Sequence, residues 1–332
     1  MSLPGTHDSS AYTQPWPFVA TQKLNIAQQL DAGIRYFDLR CGIVHDDAEM
    51  VHGPRLLGLE LHQLLDSVYK WLDTHATEGL VVQIKEDRKP EQSSVHFAQV
   101  ILENIARRPE RWRTANTTPC LGELRGKIQL LRRYNLPSRI PYGIGIDVTK
   151  WEDNPSMPFT IHTWHQVQLT IQDHYSFSEP MPLPKLIASK GGDVSGLLEK
   201  AYNDADPYHW YINFTSAYEF NLYYQLTPRA IAIGGYYTFH WEDGMNLRLR
   251  NYLRMRPGRR RLGIVAMDFP ESGSEDLIEL IIRSNFAAKE EWWRMSLILI
   301  LTVLALLVFT QGLSRVPCRY TGLHFGTHQL GT

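Results

Sequence analysis

Cysteine is scarce in this 332-residue chain: Cys41, Cys120 and Cys318 form an odd set with no CxxC pair. A disulfide framework needs paired thiols, and a structural zinc site needs closely spaced ligands, so neither is expected. Net charge is scarce too, at -1. Proteins that grip nucleic-acid backbones need a strong basic field, which excludes that class. The densest positive run, Arg254, Arg256, Arg259, Arg260 and Arg261, has the chemistry to hold anionic headgroups, but it stands just before an expected strand and reads as the end of a barrel away from the site. No basic stretch followed by an apolar run stands at the start, so no signal peptide is expected. With 43% hydrophobic and 21% charged residues the chain is neither disordered nor fibrous, and a sizeable core is available.

One long apolar run is present. Met295 to Thr310 carries no charge and is framed by Trp292, Trp293 and Arg294 before it and by Arg315 and Arg319 after it. A spanning helix needs ~20 apolar residues, and tryptophan and arginine favour the two interfaces, so a transmembrane helix over 295–313 is expected. A barrel's outer helix would be amphipathic, which this run is not. The polar tail 314–332 argues against a glycolipid-anchor signal, which ends in its hydrophobic segment. The expected order is a catalytic unit over 1–286, a juxtamembrane linker over 287–294, the helix and the tail. The protein is expected at a membrane, single-pass near its C-terminus, and basic residues on both sides leave its facing open.

Up to about Phe286, short apolar strands alternate with helical stretches, the pattern of a parallel α/β fold. The strands read as 33–40, 80–85, 127–133, 167–173, 211–214 and 263–268, each with a polar residue at or next to its end. A closed (β/α)8 TIM-type barrel places its chemistry at strand C-termini. Period-two alternation puts Asp38 and Arg40 on one face of their strand, with Arg35, Phe37 and Leu39 on the other. Helical spacing covers 23–32, 59–74 and 94–107, while 147–164 reads as a surface loop. Leu3 to His7 reads as the exit of a first strand with almost nothing before it, so the barrel is expected to be distorted or to lack that strand.

Metal-free cleavage of a phosphodiester needs a base to activate a hydroxyl, an acid to protonate the leaving oxygen and a cation to neutralise developing charge. Histidine suits both proton roles, and arginine suits the phosphate. Taken singly, each candidate also has an ordinary structural role. His52 could hydrogen-bond a carbonyl, Arg40 could pair with Asp38, and Asp268 could cap a helix. His45 lacks the glycine that follows His52 and reads as loop, and His162 with His165 lacks the further ligands a metal would need.

Seven segments in order decide between these readings: Leu3-Pro-Gly-Thr-His-Asp-Ser9, Tyr36-Phe-Asp-Leu-Arg40, Val51-His-Gly53, residues 121–134, Ile171-Gln-Asp-His-Tyr175, residues 211–217 and Val265-Ala-Met-Asp-Phe269. Together they resemble the bacterial-type phosphatidylinositol-specific phospholipases C over nearly the whole of 1–286. The resemblance implies that His7 is the base for the inositol 2-hydroxyl, oriented by Asp268. It makes His52 the acid, Asp8 its support toward the diacylglycerol oxygen, and Arg40 the phosphate cation where animal-type relatives hold calcium. Asp8, where the calcium-dependent branch carries Asn, and Arg40 together imply no metal and no cofactor. Lys85, Arg133, Asp173 and Tyr175 match the inositol-binding positions, with Tyr175 able to stack on the ring's apolar face. The implied partners are phosphatidylinositol or a glycosylated derivative and the membrane, and the implied product is a cyclic inositol phosphate. Two other readings are a metal-dependent glycerophosphodiester or sphingolipid phosphodiesterase and a non-catalytic phosphoinositide-binding barrel.

Overall fold

The alternating segments become eight parallel strands, β1 (Ser2–Thr6), β2 (Tyr36–Val44), β3 (Gly79–Glu86), β4 (Lys127–Arg133), β5 (Ile146–Asp147), β6 (Gln168–Gln172), β7 (Trp210–Phe214) and β8 (Gly263–Met267). The computed structural model describes residues 1–14, 16–138 and 144–286. Neighbours run β5-β4-β3-β2-β1-β8-β7-β6, the order of a (β/α) barrel. Among the described residues no ladder joins β5 to β6. Instead β6 pairs antiparallel with Phe159–His162, so the barrel stands open on that side.

Strand alternation sorts the side chains as period two requires. Tyr36, Val81, Leu131, Ile146, Ile171, Phe214, Ile264 and Ala266 fill the interior. Phe37, Leu39, Val82, Ile84, Ile128 and Leu130 face outward into a second core with the helices Leu61–Thr74 and Phe97–Ala106. The first of these helices buries Leu61, Leu64, Leu65, Val68 and Leu72, the apolar stripe of an amphipathic surface helix. On the other half, Val265 and Met267 pack under Leu183–Asn203, Met245–Arg254 and Leu277–Arg283.

The first strand is present, contrary to expectation. Five residues suffice, because β6, β7 and β8 are no longer. β1 pairs with β8 from Ser2↔Gly263 to Thr6↔Met267 and meets β2 at Gly5↔Tyr36. Gly5 permits that approach, since a Cβ there would lie 2.6 Å from Tyr36 Cδ1. Asn285 fastens the strand's start, accepting from the Ser2 amide at 2.7 Å and donating to its carbonyl at 2.8 Å.

The stretch 147–164 is more than a loop, because its second half is the strand that edges β6. Four of the five arginines in the run have ion-pair partners: Arg254 with Asp276, Arg256 and Arg260 with Glu199, Arg261 with Asp204. Among the described residues no helix is long and apolar enough to cross a membrane. The expected linker, helix and tail over 287–332 lie outside the described residues.

Candidate active site

Five of the nine site residues expected from the sequence meet where β1, β2 and β8 end and the hairpin Asp47–His52 and Arg55–Glu60 folds over. His7 follows β1, and its amide donates to the Met267 carbonyl at 3.0 Å, stitching it to β8. Asp268 leaves β8 directly beside it, and His7 Nδ1 lies 2.8 Å from Asp268 Oδ1. Asp8 has φ +41, a left-handed conformation uncommon for a non-glycine residue. Its fully buried carboxylate is the hub: Oδ2 lies 3.3 Å from both His7 Nε2 and His52 Nε2, and Oδ1 lies 2.9 Å from Arg40 Nε. His52 directs Nδ1 to the Val19 carbonyl at 2.7 Å.

Arg40 shares its β2 face with Asp38, as alternation requires, and pairs with Asp38 Oδ2 at 3.2 Å. Asp38 also accepts from Gln83 Nε2 at 2.7 Å. Asp87 stands 3.9 Å from Arg40 and pairs with Lys85. Arg40, Lys85 and Arg133 occupy one register row across β2, β3 and β4. Arg133 stacks its guanidinium 4.1 Å from the Trp151 ring centre, and Trp151 Nε1 donates to Asp173 Oδ2 at 2.9 Å. Tyr175 donates its hydroxyl to Asp153 Oδ1 at 3.0 Å. The remaining four expected residues, Lys85, Arg133, Asp173 and Tyr175, thus lie along the rim from β3 to β6.

The electrostatics separate the groups. Burial pulls the His7 pKa down, but Asp268 and Asp8 outweigh it, and the net shift is upward. Asp268 is raised by burial, with His7 opposing. Burial, the largest single influence, would raise Asp38 too, yet Arg40, His7, Arg133 and the Asp8 amide together outweigh it and hold the carboxyl down to about 2. Arg40 itself stays charged despite burial, since Asp8, Asp38 and Asp87 hold its pKa well above the usual arginine value. The arrangement offers an imidazole held through Nδ1 by Asp268 with its Nε2 turned to Asp8, a second imidazole fixed through Nδ1, and a guanidinium between carboxylates. These groups can take a proton, give one and neutralise an anion.

Asp38, Asp87 and Trp151 belong to the site without having been chosen as site residues. Asp38 was visible through its spacing from Arg40. Trp151 lay in a stretch read as surface loop, and nothing local to Asp87 marks it.

Fold and cluster define a class: a barrel enzyme whose centre sets two imidazoles across one carboxylate beside a guanidinium. Residues 1–134 match the family model of the phosphatidylinositol-specific phospholipase C X domain. A 1-phosphatidylinositol phosphodiesterase of Staphylococcus aureus (strain Newman) is 26% identical over 303 residues, covering 86% of this chain and 89% of the relative. One of Listeria monocytogenes is 33% identical over 141 residues, 40% of this chain and 43% of the relative. A solved structure of a mutant phosphatidylinositol-specific phospholipase C from Staphylococcus aureus superposes with a TM-score of 0.70 at 23% identity, covering 85% of this chain and 92% of that one. The Listeria monocytogenes enzyme gives 0.58 at 24% identity, covering 86% and 93%. These structures share the fold.

Proposed function

We propose that this protein is a metal-independent phosphatidylinositol-specific phospholipase C, cleaving phosphatidylinositol to diacylglycerol and a cyclic inositol phosphate. The single observation that carries the reading is the array Asp268, His7, Asp8, His52 with Arg40 alongside. With Nδ1 donating to Asp268, His7 presents Nε2 as a base. It takes the proton of the inositol 2-hydroxyl, whose oxygen attacks phosphorus. The bond from phosphorus to the diacylglycerol oxygen breaks, and that oxygen takes the Nε2 proton of His52. His52 donates to the Val19 carbonyl through Nδ1, so only its doubly protonated form can also give a proton from Nε2. Holding the hydroxyl next to its own phosphate makes the attack intramolecular, with the rate advantage that proximity confers.

Arg40 neutralises the charge that builds on the phosphate oxygens. The donor set disfavours a divalent cation in its place: Asp8 and Asp38 already balance the guanidinium, which would repel the ion. A metal-dependent hydrolase of glycerophosphodiesters or sphingolipids would need those carboxylates free. Lys85, Arg133, Asp173 and Tyr175 serve the inositol hydroxyls, and a glycosylated phosphatidylinositol fits the same groups.

Membrane contact is supported by large apolar side chains on connections that follow strand ends around the site. Trp16, Leu222, Tyr223 and Phe239 are exposed, and Phe18 packs edge-on against Phe220 at 5.0 Å. Another solved Staphylococcus aureus structure, with a TM-score of 0.69 at 24% identity, is described as concerning that enzyme's membrane binding. The uncharged run of residues 295–310 adds a candidate single-pass anchor on sequence grounds.

Phosphorus NMR of the protein with phosphatidylinositol micelles in excess EDTA tests the reading, with His7→Ala as control. A cyclic inositol phosphate resonance that the control lacks is expected. Turnover that appears only when calcium or magnesium is restored would overturn it.

A further inference from the structure

Lys190 is wholly buried, at 0% exposure, on the helix Leu183–Asn203. No step of the chemistry uses it. A buried ammonium is costly unless fully hydrogen-bonded, so its partners indicate why it is there. Its Nζ donates to Gln172 Oε1 at 2.8 Å and to the His174 carbonyl at 2.7 Å. Gln172 Oε1 also accepts from the His174 amide at 2.9 Å. Residue 174 is therefore gripped at both backbone groups by one lysine–glutamine unit. Gln172 Nε2 in turn donates to Asn213 Oδ1 at 2.8 Å and to the Phe214 carbonyl at 2.9 Å, fastening the unit to β7.

Residue 174 lies between Asp173 and Tyr175, the two candidate headgroup contacts from β6. From the rim, Asn154 holds the same turn, its Oδ1 accepting from the Tyr175 and Ser176 amides at 2.9 and 2.8 Å. The turn is thus clamped from inside the protein by Lys190 and from the rim by Asn154. Burial pulls the Lys190 ammonium down to about 8, with Asp173, Asp193 and Asp268 opposing the shift. His174 faces the same helix, its Nδ1 2.9 Å from Asp193 Oδ2.

We infer that Lys190 is a positioning residue for the headgroup site, holding the 173–176 turn so that Asp173 and Tyr175 face the inositol ring. This rests on the functional reading above and names a determinant of headgroup affinity within it. Lys190 touches no reacting atom, so its effect belongs in binding and not in turnover.

The test compares wild type, Lys190→Met and Lys190→Gln; the second change keeps a polar group and stands in where the first does not fold. Three quantities are read: the dissociation constant for myo-inositol, kcat and KM on phosphatidylinositol, and hydrogen exchange at the 174–176 amides. We expect the dissociation constant and KM to rise roughly tenfold, kcat to stay within about threefold, and the three amides to exchange faster. In a Tyr175→Ala background the Lys190 change should cost far less affinity, because both act through one turn. Folded variants with wild-type exchange and affinity would overturn the proposal. So would a lowered melting temperature with both unchanged, which would make Lys190 an ordinary core group. A wild type that binds no myo-inositol would instead sink the functional reading, while the exchange arm still judges whether Lys190 orders the turn.

Discussion

Asp8 sits at one end of β1 between two imidazoles and a guanidinium. Asp268 and Asp8 hold the His7 pKa above its ordinary value of 6.5. A base works only when deprotonated, so the acid limb of kcat/KM should lie above 6.5. In Asp268→Asn one raising carboxylate is lost, and the limb should move to lower pH while the rate falls by roughly 10²-fold or more. A pH–rate profile of that variant showing an unmoved limb would refute the assignment of His7 as base. Asp38 gives a second prediction, in stability. Its folded pKa, about 2, lies below the ordinary 3.8, so its contribution is complete above the ordinary value and is lost as pH falls through the folded one. The shift corresponds to on the order of 2 kcal/mol. Acid denaturation of Asp38→Asn should therefore be shallower than that of wild type between about pH 4 and pH 2.

At the scale of elements, β8 depends on how it begins. Gly263 has φ +74, and a Cβ there would lie 2.4 Å from the Tyr211 carbonyl oxygen. Gly263→Ala should cost at least about 1–3 kcal/mol, combining left-handed strain with a backbone clash. Gly258, at φ +101 with nothing within 4 Å, meets the strain without the clash. Gly258→Ala should be the milder change in thermal or urea unfolding, and equal losses would mean that the approach of β8 to β7 is not tight. The hairpin after β2 shows why element assignment alone leaves the site incomplete. It carries His52 back over the barrel mouth, where the Val19 carbonyl, 33 residues away in the chain, fixes the ring.

At the scale of the molecule, the connection from β7 to β8 carries large apolar side chains that face solvent. Leu222 is 88% and Phe239 100% exposed. Burying such a side chain at an interface is worth about 2 kcal/mol, so Leu222→Ser with Phe239→Ser should weaken partitioning onto phosphatidylinositol vesicles by well over tenfold. Turnover of a short-chain monomeric substrate should fall far less. Equal losses on vesicle and monomer would place these residues in the site and not at a membrane.

The sequence by itself marked six of the eight strands, the two faces of β2, and the five residues that meet around the Asp8 carboxylate, whereas β5, with only two residues, is too short to show a period. Periodicity and the ordered segments from Leu3 to Phe269 are properties of the chain alone. The ordered segments favour a site role for His52 and Arg40 over an ordinary one, and the structure holds the ordinary contacts as well. His52 does bond a carbonyl and Arg40 does pair with Asp38, and those same contacts aim them at the site. Tertiary structure alone decided that five residues suffice for β1, that the barrel stands open beside β6, and that Trp151 bonds Asp173, Asp87 pairs with Lys85 and Lys190 holds the His174 carbonyl. Apart from the Asp87 pair, each of these rests on contacts between segments far apart in the chain, and no local spacing encodes such contacts.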